Sequence, residues 1–215
     1  MSDASPSPSA ARLHAATEAL YEAFAAPRPA KIEGCPCCTD PRNLDALLAT
    51  PLRALTGDQL SRYVLGAFLT VGGKEDFRYL LPRIFDFSAN DPGHLHDPET
   101  VLGKLALANW RSWSDTRQRA VEAFVDAWFE TALARDLEEA ATEDSWRLDQ
   151  AESVLCGGAR AGFPLEPWLL RLQEPDAAPV LEDLRARFPH DLSAFWEMAP
   201  EGLRELSMIL TEARA

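Results

Sequence analysis

The chain of 215 residues is rich in apolar side chains and strongly acidic: 47% of its residues are hydrophobic, and 34 acidic residues against 21 basic ones give a formal net charge of −13. This apolar content is enough to build a core, so the composition favours a folded chain over an intrinsically disordered one. The negative charge disfavours binding to nucleic acid or to an anionic membrane, and it favours a basic protein partner.

The N-terminal segment predicts a short tail followed by a helix. Residues 1–9, which are rich in Ser and Pro, predict a disordered tail ahead of a single all-helical domain over residues 10–215. From Ala10 onward apolar residues recur every three or four positions, which indicates an amphipathic helix that ends at the prolines of "APRPAK". No basic segment precedes an apolar core, so we predict no secretory signal and expect a cytoplasmic location.

Two helix starts follow, each marked by a capping pattern. Pro41 fits the first turn of a helix, where its missing N–H costs nothing, and Thr39 or Asp40 can cap that helix. Thr56 and Gln59 have the spacing of a capping box, which predicts the start of a third helix. We expect this third helix to run to the glycine pair at 72–73 and to end there.

The next segment, "KEDFRYLLPRIFDF", is apolar with helical period but contains Pro82, which should kink the helix or split it into two pieces. Arg78 and Arg83 flank its apolar face. They can pair with acids such as Asp76 or Asp86, lie over the core, or take part in recognition.

Helices are predicted through the rest of the chain, at roughly 98–110, 115–137 and 143–158, and three more complete it. The glycine pair at 157–158 is expected to end the third of these. No alternating run rich in β-branched residues occurs, so no sheet is predicted. Antiparallel helix pairs recurring every 30–45 residues or so suit a HEAT-like superhelix, and an irregular helical bundle is the alternative.

Three of the four cysteines lie within four positions: Cys35, Cys37 and Cys38. Pro36 restricts the backbone between them, so the turn can direct two or three thiolates at one point. Zinc in proteins is bound by four sulfur, nitrogen or oxygen ligands in a tetrahedron. The three cysteines are therefore candidate zinc ligands.

The fourth zinc ligand would come from elsewhere in the chain. His94 and His96 lie in a loop with Pro and Gly, "NDPGHLHDPE", and are the leading candidates, with Cys156 a weaker one. Two other interpretations of the cysteines stay open. They can be small side chains that pack a tight turn, or Cys35 and Cys38 can form a redox pair, although no βαβ unit accompanies them.

A wider sequence pattern surrounds the cysteine turn. It consists of Gly34-Cys35-Pro36-Cys37-Cys38, Pro51-Leu52-Arg53, Leu60, Tyr63, Thr70, Gly72 and "DFRYLLPRIF" at residues 76–85. In these residues, within a region of about a quarter of the chain, the sequence resembles an all-helical family of bacterial proteins of uncharacterised activity. The resemblance implies that residues 34–84 form one structural unit, and it implies no catalytic residue.

The sequence contains no signature of a known catalytic site. Gly-x-Ser-x-Gly, a phosphate-binding glycine loop with Lys-Ser/Thr, and His-Glu-x-x-His are all missing. We therefore predict a protein-binding module, for example an immunity or antitoxin-like protein that neutralises a basic toxin. The alternative is a metalloprotein that binds structural or sensory zinc at the cysteine turn, and an enzyme with an unfamiliar site is a third option.

Overall fold

A computed structural model describes residues 7–90, 96–142 and 148–211. Across these ranges the protein is all-helical, with ten α-helices and no strand, which confirms the predicted all-α class. The helices are α1 (Pro8–Ala23), α2 (Pro41–Ala49), α3 (Gly57–Gly66), α4 (Lys74–Asn90), α5 (Pro98–Leu107), α6 (Asp115–Ala140), α7 (Gln150–Ala161), α8 (Glu166–Leu172), α9 (Ala178–Arg187) and α10 (Pro200–Thr211). None of them, within the described ranges, is both long and apolar enough to cross a bilayer.

The described chain divides into two compact units. Residues 14–124 form one, which we call the central unit, and the described residues before 14 and after 124 form the other, the C-terminal unit. Both divisions fall inside a helix, one in α1 and one in α6. The segment 34–84 lies wholly within the central unit, and a single domain over 10–215 stays a prediction.

The central unit is built from helices that pack against their neighbours in sequence: α2 on α3, α3 on α4, and α4 on α5. The apolar faces predicted from the helical period are buried, with Leu60 and Leu80 at 0% exposure and Tyr63 at 2%. Burial of one such large side chain contributes about 1.5–3 kcal/mol. These contacts hold α3 and α4 rigidly against one another, and the connector between them carries the site described below.

The C-terminal unit has the packing of a helical bundle. Helix α10 contacts α7, α8 and α9. Two close approaches involve glycine, since a Cβ on Gly158 would lie 2.5 Å from the Trp168 ring and one on Gly202 would lie 2.7 Å from Ala159.

Both predicted caps are confirmed. The Asp40 side chain accepts a 2.9 Å hydrogen bond from the Arg42 N–H at the start of α2. Thr56 and Gln59 form the capping box of α3, in which the Thr56 N–H donates to Gln59 Oε1 at 3.0 Å and the Gln59 N–H donates to Thr56 Oγ1 at 3.4 Å.

The predicted end of the third helix is wrong. Helix α3 ends at Gly66, and the N–H groups of residues 69, 70 and 71 all turn back to the Gly66 carbonyl, at 2.9, 2.9 and 3.1 Å. Phe68, with φ +66°, and Gly72, with φ +67°, reverse the chain. The glycine pair 72–73 therefore precedes α4 and does not cap α3.

The predicted split at Pro82 and the predicted helix end at residues 157–158 are also wrong, whereas a kink at Pro82 stays a prediction. Pro82 lies inside the single helix α4, where it is buried, so the helix is not split. The glycine pair 157–158 lies inside α7, which ends instead at Gly162 with φ +79°. The Trp168 ring packs where a Cβ of residue 158 would lie. Gly158 is therefore needed for packing and does not reverse the chain.

Candidate metal centre

The cysteine turn lies in the connector between α1 and α2, in the central unit. Its backbone is closed by the Cys35 carbonyl, which accepts hydrogen bonds from the N–H groups of Cys38 at 3.0 Å and Thr39 at 2.9 Å. Gly34 precedes the turn, and a Cβ there would lie 2.9 Å from the Thr39 side chain. The local sequence therefore favours a tight turn, and this turn places the neighbouring cysteine side chains on the same side of the backbone.

The three sulfur atoms of this turn converge. Cys35 Sγ lies 2.7 Å from Cys37 Sγ, and Cys37 Sγ lies 3.3 Å from Cys38 Sγ. All three lie within 4.8 Å of one another, which is close enough to bind one metal ion. Around a tetrahedral zinc with Zn–S bonds of about 2.3 Å, sulfur atoms are about 3.8 Å apart. Small rotations of the side chains that spread the sulfurs would therefore accommodate the ion.

The hydrogen bonds within the turn shift the pKa values of Cys35 and Cys37 in opposite directions. The pKa of Cys35 is lowered, chiefly because its sulfur accepts from the Cys37 thiol and also from the backbone N–H groups of Cys37 and Cys38. The pKa of Cys37 is raised to about 12, because its thiol hydrogen-bonds to the sulfurs of Cys35 and Cys38. The turn thus makes Cys35 more acidic than Cys37, and the thiolate is the form of cysteine that binds metals.

The turn is fastened to the connector between α3 and α4. The Cys35 N–H donates to the Thr70 carbonyl at 2.7 Å, and the Gly72 N–H donates to the Glu33 carbonyl at 2.7 Å. These two bonds make an antiparallel bridge between Gly34 and Val71. The backbone on which the sulfurs are arranged is therefore fixed by hydrogen bonds that do not involve a metal.

The two other predicted ligands that the structure describes, His96 and Cys156, do not join the three sulfurs. The His96 ring hydrogen-bonds to Ser61, with Nε2 2.9 Å from the Ser61 carbonyl oxygen and 3.2 Å from its hydroxyl. Cys156 is fully buried within α7 of the C-terminal unit. His94 lies outside the described residues. Within the described ranges, no other group of three or more Cys, His, Asp or Glu side chains comes close enough together to bind a metal ion.

A small pocket of about 60 Å³ opens beside the turn, between α2 and α3. Cys38 lines it together with the capping residue Gln59 and with two polar side chains, Asn43 and Arg62, for which the sequence predicts no role. No pattern in the sequence indicates that Arg62 lies beside the cysteine turn, because the helix that brings it there, α3, is distant from the turn in sequence. No protein-family model, curated protein or solved structure matches this chain.

Proposed function

We propose that this protein binds zinc through Cys35, Cys37 and Cys38. The observation that carries the proposal is the convergence of three sulfurs within 4.8 Å on a turn whose backbone is already fixed. Thiolates are ligands that zinc and other soft metals prefer over hard cations such as Mg²⁺. Three protein ligands leave one position of the zinc tetrahedron for a further ligand or for water.

The exposure of the sulfurs favours an ion that can exchange. Cys37 and Cys38 are exposed and Cys35 is half-buried, whereas structural zinc sites are closed by four protein ligands. The negative charge of the chain also favours a cation at its surface. We therefore assign the site a sensory or metal-handling role.

Elemental analysis of protein purified without a histidine tag, after incubation with zinc and removal of the excess, tests the proposal. We expect about one zinc ion per chain, retained in Cys156→Ala and lost in Cys37→Ser. The matched control separates loss of a ligand from loss of a cysteine elsewhere in the chain. Wild-type protein that stays free of zinc in this experiment, with its thiols reduced, would refute the proposal.

Protein binding is a second candidate function, and one observation favours it. Leu69, in the turn that pairs with the cysteine loop, is 71% exposed, and Leu65 on α3 is 54% exposed. Two large exposed apolar side chains close together in sequence, on a chain with a net charge of −13, suit an interface with a basic protein.

Pull-down from host extract at low and moderate salt tests this second function. We expect a partner retained by the wild-type chain and lost by a Leu65→Ser/Leu69→Ser variant. Met198→Ser is the matched control, since Met198 is 65% exposed but lies in the C-terminal unit. A partner retained equally by all three proteins would show that these leucines are not the interface.

A further inference from the structure

A second site in the central unit has different chemistry from the cysteine turn. A cleft of about 270 Å³ lies between the end of α1, the loop that follows it, α4 and the first turn of α6. Its walls are Phe24, Pro27, Pro29 and Tyr79. Two guanidinium groups and one carboxylate also line it: Arg78, Arg117 and Glu75.

Both arginines are held in place through one nitrogen only. Arg78 Nε donates to the Lys74 carbonyl at 2.9 Å, and Arg117 Nε donates to the Ala23 carbonyl at 3.3 Å. The Arg117 guanidinium also lies over the Phe24 ring, 5.4 Å from its centroid. The Nη groups of both arginines keep their donors, because neither side chain forms an ion pair or a further hydrogen bond with any described residue.

Other arginines of the central unit are neutralised by carboxylates of this acidic chain, whose net charge is −13. Arg83, on the same helix as Arg78, pairs with Asp86 at 2.8 Å. The exposed Arg53 is bound by both carboxylate oxygens of Glu18, at 2.7 and 2.8 Å. Arg78 and Arg117 have no such acidic partner among the described residues, and both line the same cleft, so their Nη donors are available to an anion from outside.

The remaining groups of the cleft define the ligand more closely. The Tyr79 side chain also lines the cleft, and its hydroxyl, which bonds to no described residue, adds a third donor group. The aromatic and proline walls suit an apolar body. A volume of about 270 Å³ lies just below the range of about 300–1,000 Å³ that is typical of small-molecule pockets. The size of the cleft therefore suits a small molecule.

We infer that this cleft binds a small organic anion, in which a carboxylate or phosphate group is held by Arg78 and Arg117 and an apolar body lies against Phe24 and Tyr79. The planar fork of arginine matches both kinds of oxyanion. The exposed Glu75 carboxylate, which also lines the cleft, opposes the anion, so the site selects ligands of low charge. The inference does not depend on the cysteine turn.

Titration of the full chain with benzoate, with phenyl phosphate and with the neutral benzamide, followed by NMR amide shifts or calorimetry, tests the inference. We expect saturable binding of at least one of the two anions and binding of benzamide that is weaker by about tenfold or more. The two anions separate a carboxylate site from a phosphate site. Failure of both to saturate, or equal binding of benzamide, overturns the inference.

Variants assign the binding to the arginines. Arg78→Gln should weaken binding of the anion by about tenfold or more, whereas Glu75→Gln should tighten it, an opposite effect that a loss of folding cannot produce. Arg119→Gln is the matched control, because Arg119 lies on α6 near Arg117 and its Nε also donates to a backbone carbonyl, that of Asp115, but its side chain does not line this cleft. Equal weakening in Arg119→Gln, or no effect of Arg78→Gln, contradicts the assignment.

Discussion

The Tyr63 hydroxyl donates a 2.6 Å hydrogen bond to Asp76 Oδ2, so the end of α3 is tied to the start of α4. The same carboxylate accepts from the Gly73 N–H at 3.0 Å. Tyr63 is 2% and Asp76 8% exposed. Burial is the main reason that the pKa of Tyr63 is raised above its ordinary value, so its hydroxyl keeps its proton and remains a donor. This bond fixes the connector on which the cysteine turn depends.

Substitution Tyr63→Phe should lower the free energy of unfolding by about 1–3 kcal/mol, because it removes one donor from a buried carboxylate. Urea unfolding measures the change. Tyr79→Phe is the matched control on the next helix, since its hydroxyl has no partner among the described residues, and we expect it to cost less than about 0.5 kcal/mol. Similar losses in the two variants would show that the bond to Asp76 contributes little.

Substitution of Gly72 should lower the free energy of unfolding more than substitution of Gly162, and urea unfolding measures both losses. Both have positive φ, +67° and +79°, but a Cβ on Gly72 would lie 2.1 Å from Asp76 Oδ2 and 2.9 Å from Tyr63 Oη, whereas the space around Gly162 is open. Gly162→Ala should cost about 1–2 kcal/mol for the backbone alone. Gly72→Ala should cost about 1–3 kcal/mol more, because the side chains around Asp76 must move.

Zinc retention by the same two glycine variants measures a second effect of Gly72. The Gly72 N–H bonds to the Glu33 carbonyl two residues before Cys35, so a displaced Gly72 should loosen the cysteine turn. We expect weaker zinc retention in Gly72→Ala than in Gly162→Ala. Equal retention would mean that the turn keeps its shape without this bond.

The helices and their buried faces could be predicted from the sequence because the relevant signals are local. The capping box of Thr56 and Gln59 spans four residues, and the buried positions of α3 and α4 repeat within one or two turns. The three sulfurs could also be predicted to converge, because they share one short turn.

The partner of the cysteine turn could not be predicted in the same way. Cys35 bonds to Thr70, which lies 35 positions further along the chain, and no local period encodes such a pairing. The same is true of position 158, where the Trp168 ring leaves room only for glycine. A glycine pair looks alike whether it ends a helix, precedes one or receives an aromatic ring, so its role follows only from contacts distant in sequence.

Removal of the proposed zinc should leave the helices intact. The bonds that hold the turn, from the Cys35 N–H to Thr70 and from the Gly72 N–H to Glu33, join backbone groups and need no ion. We expect far-UV circular dichroism to be unchanged when a chelator strips the zinc from loaded protein. Loss of helical signal on chelation would instead identify a structural zinc on which folding depends.

The buried ion pair between Arg187 and Glu152 should be essential to the C-terminal unit. The two side chains are 8% and 1% exposed, and Glu152 also accepts from the Ser193 N–H at 2.7 Å and from Trp196 Nε1 at 3.1 Å. Arg187→Met leaves a buried carboxylate without its cation, which should cost about 3–5 kcal/mol in urea unfolding.

The exposed pair of Arg204 and Glu201 supplies the control for this experiment. Its side chains are 70% and 79% exposed, and ion pairs at the surface contribute little because water screens them. Arg204→Met should therefore behave as an ordinary surface substitution. A comparable loss in both variants would argue that removal of any arginine, and not of the buried charge, is responsible.

Asp136 should make the C-terminal unit less stable as the pH rises. The pKa of Asp136 is raised to about 6, chiefly by burial. The N–H groups of Ala151 and Gln150 donate to its carboxylate and lower this pKa, and the charges of Asp149 and Asp183 raise it. The folded state therefore retains a proton that the unfolded state, with an ordinary aspartate pKa of about 4, has already released.

Stability from this group is complete below about pH 4 and is lost as the pH rises through 6, by about 3 kcal/mol at most. Urea unfolding of the wild type and of Asp136→Asn across this range isolates the effect, because all other titrating groups are shared. The free energy of the wild type should fall relative to that of Asp136→Asn as the pH increases. A difference that stays constant, or one that grows in favour of the wild type, would show that the two backbone donors outweigh burial and that Asp136 is charged in the folded protein throughout this range.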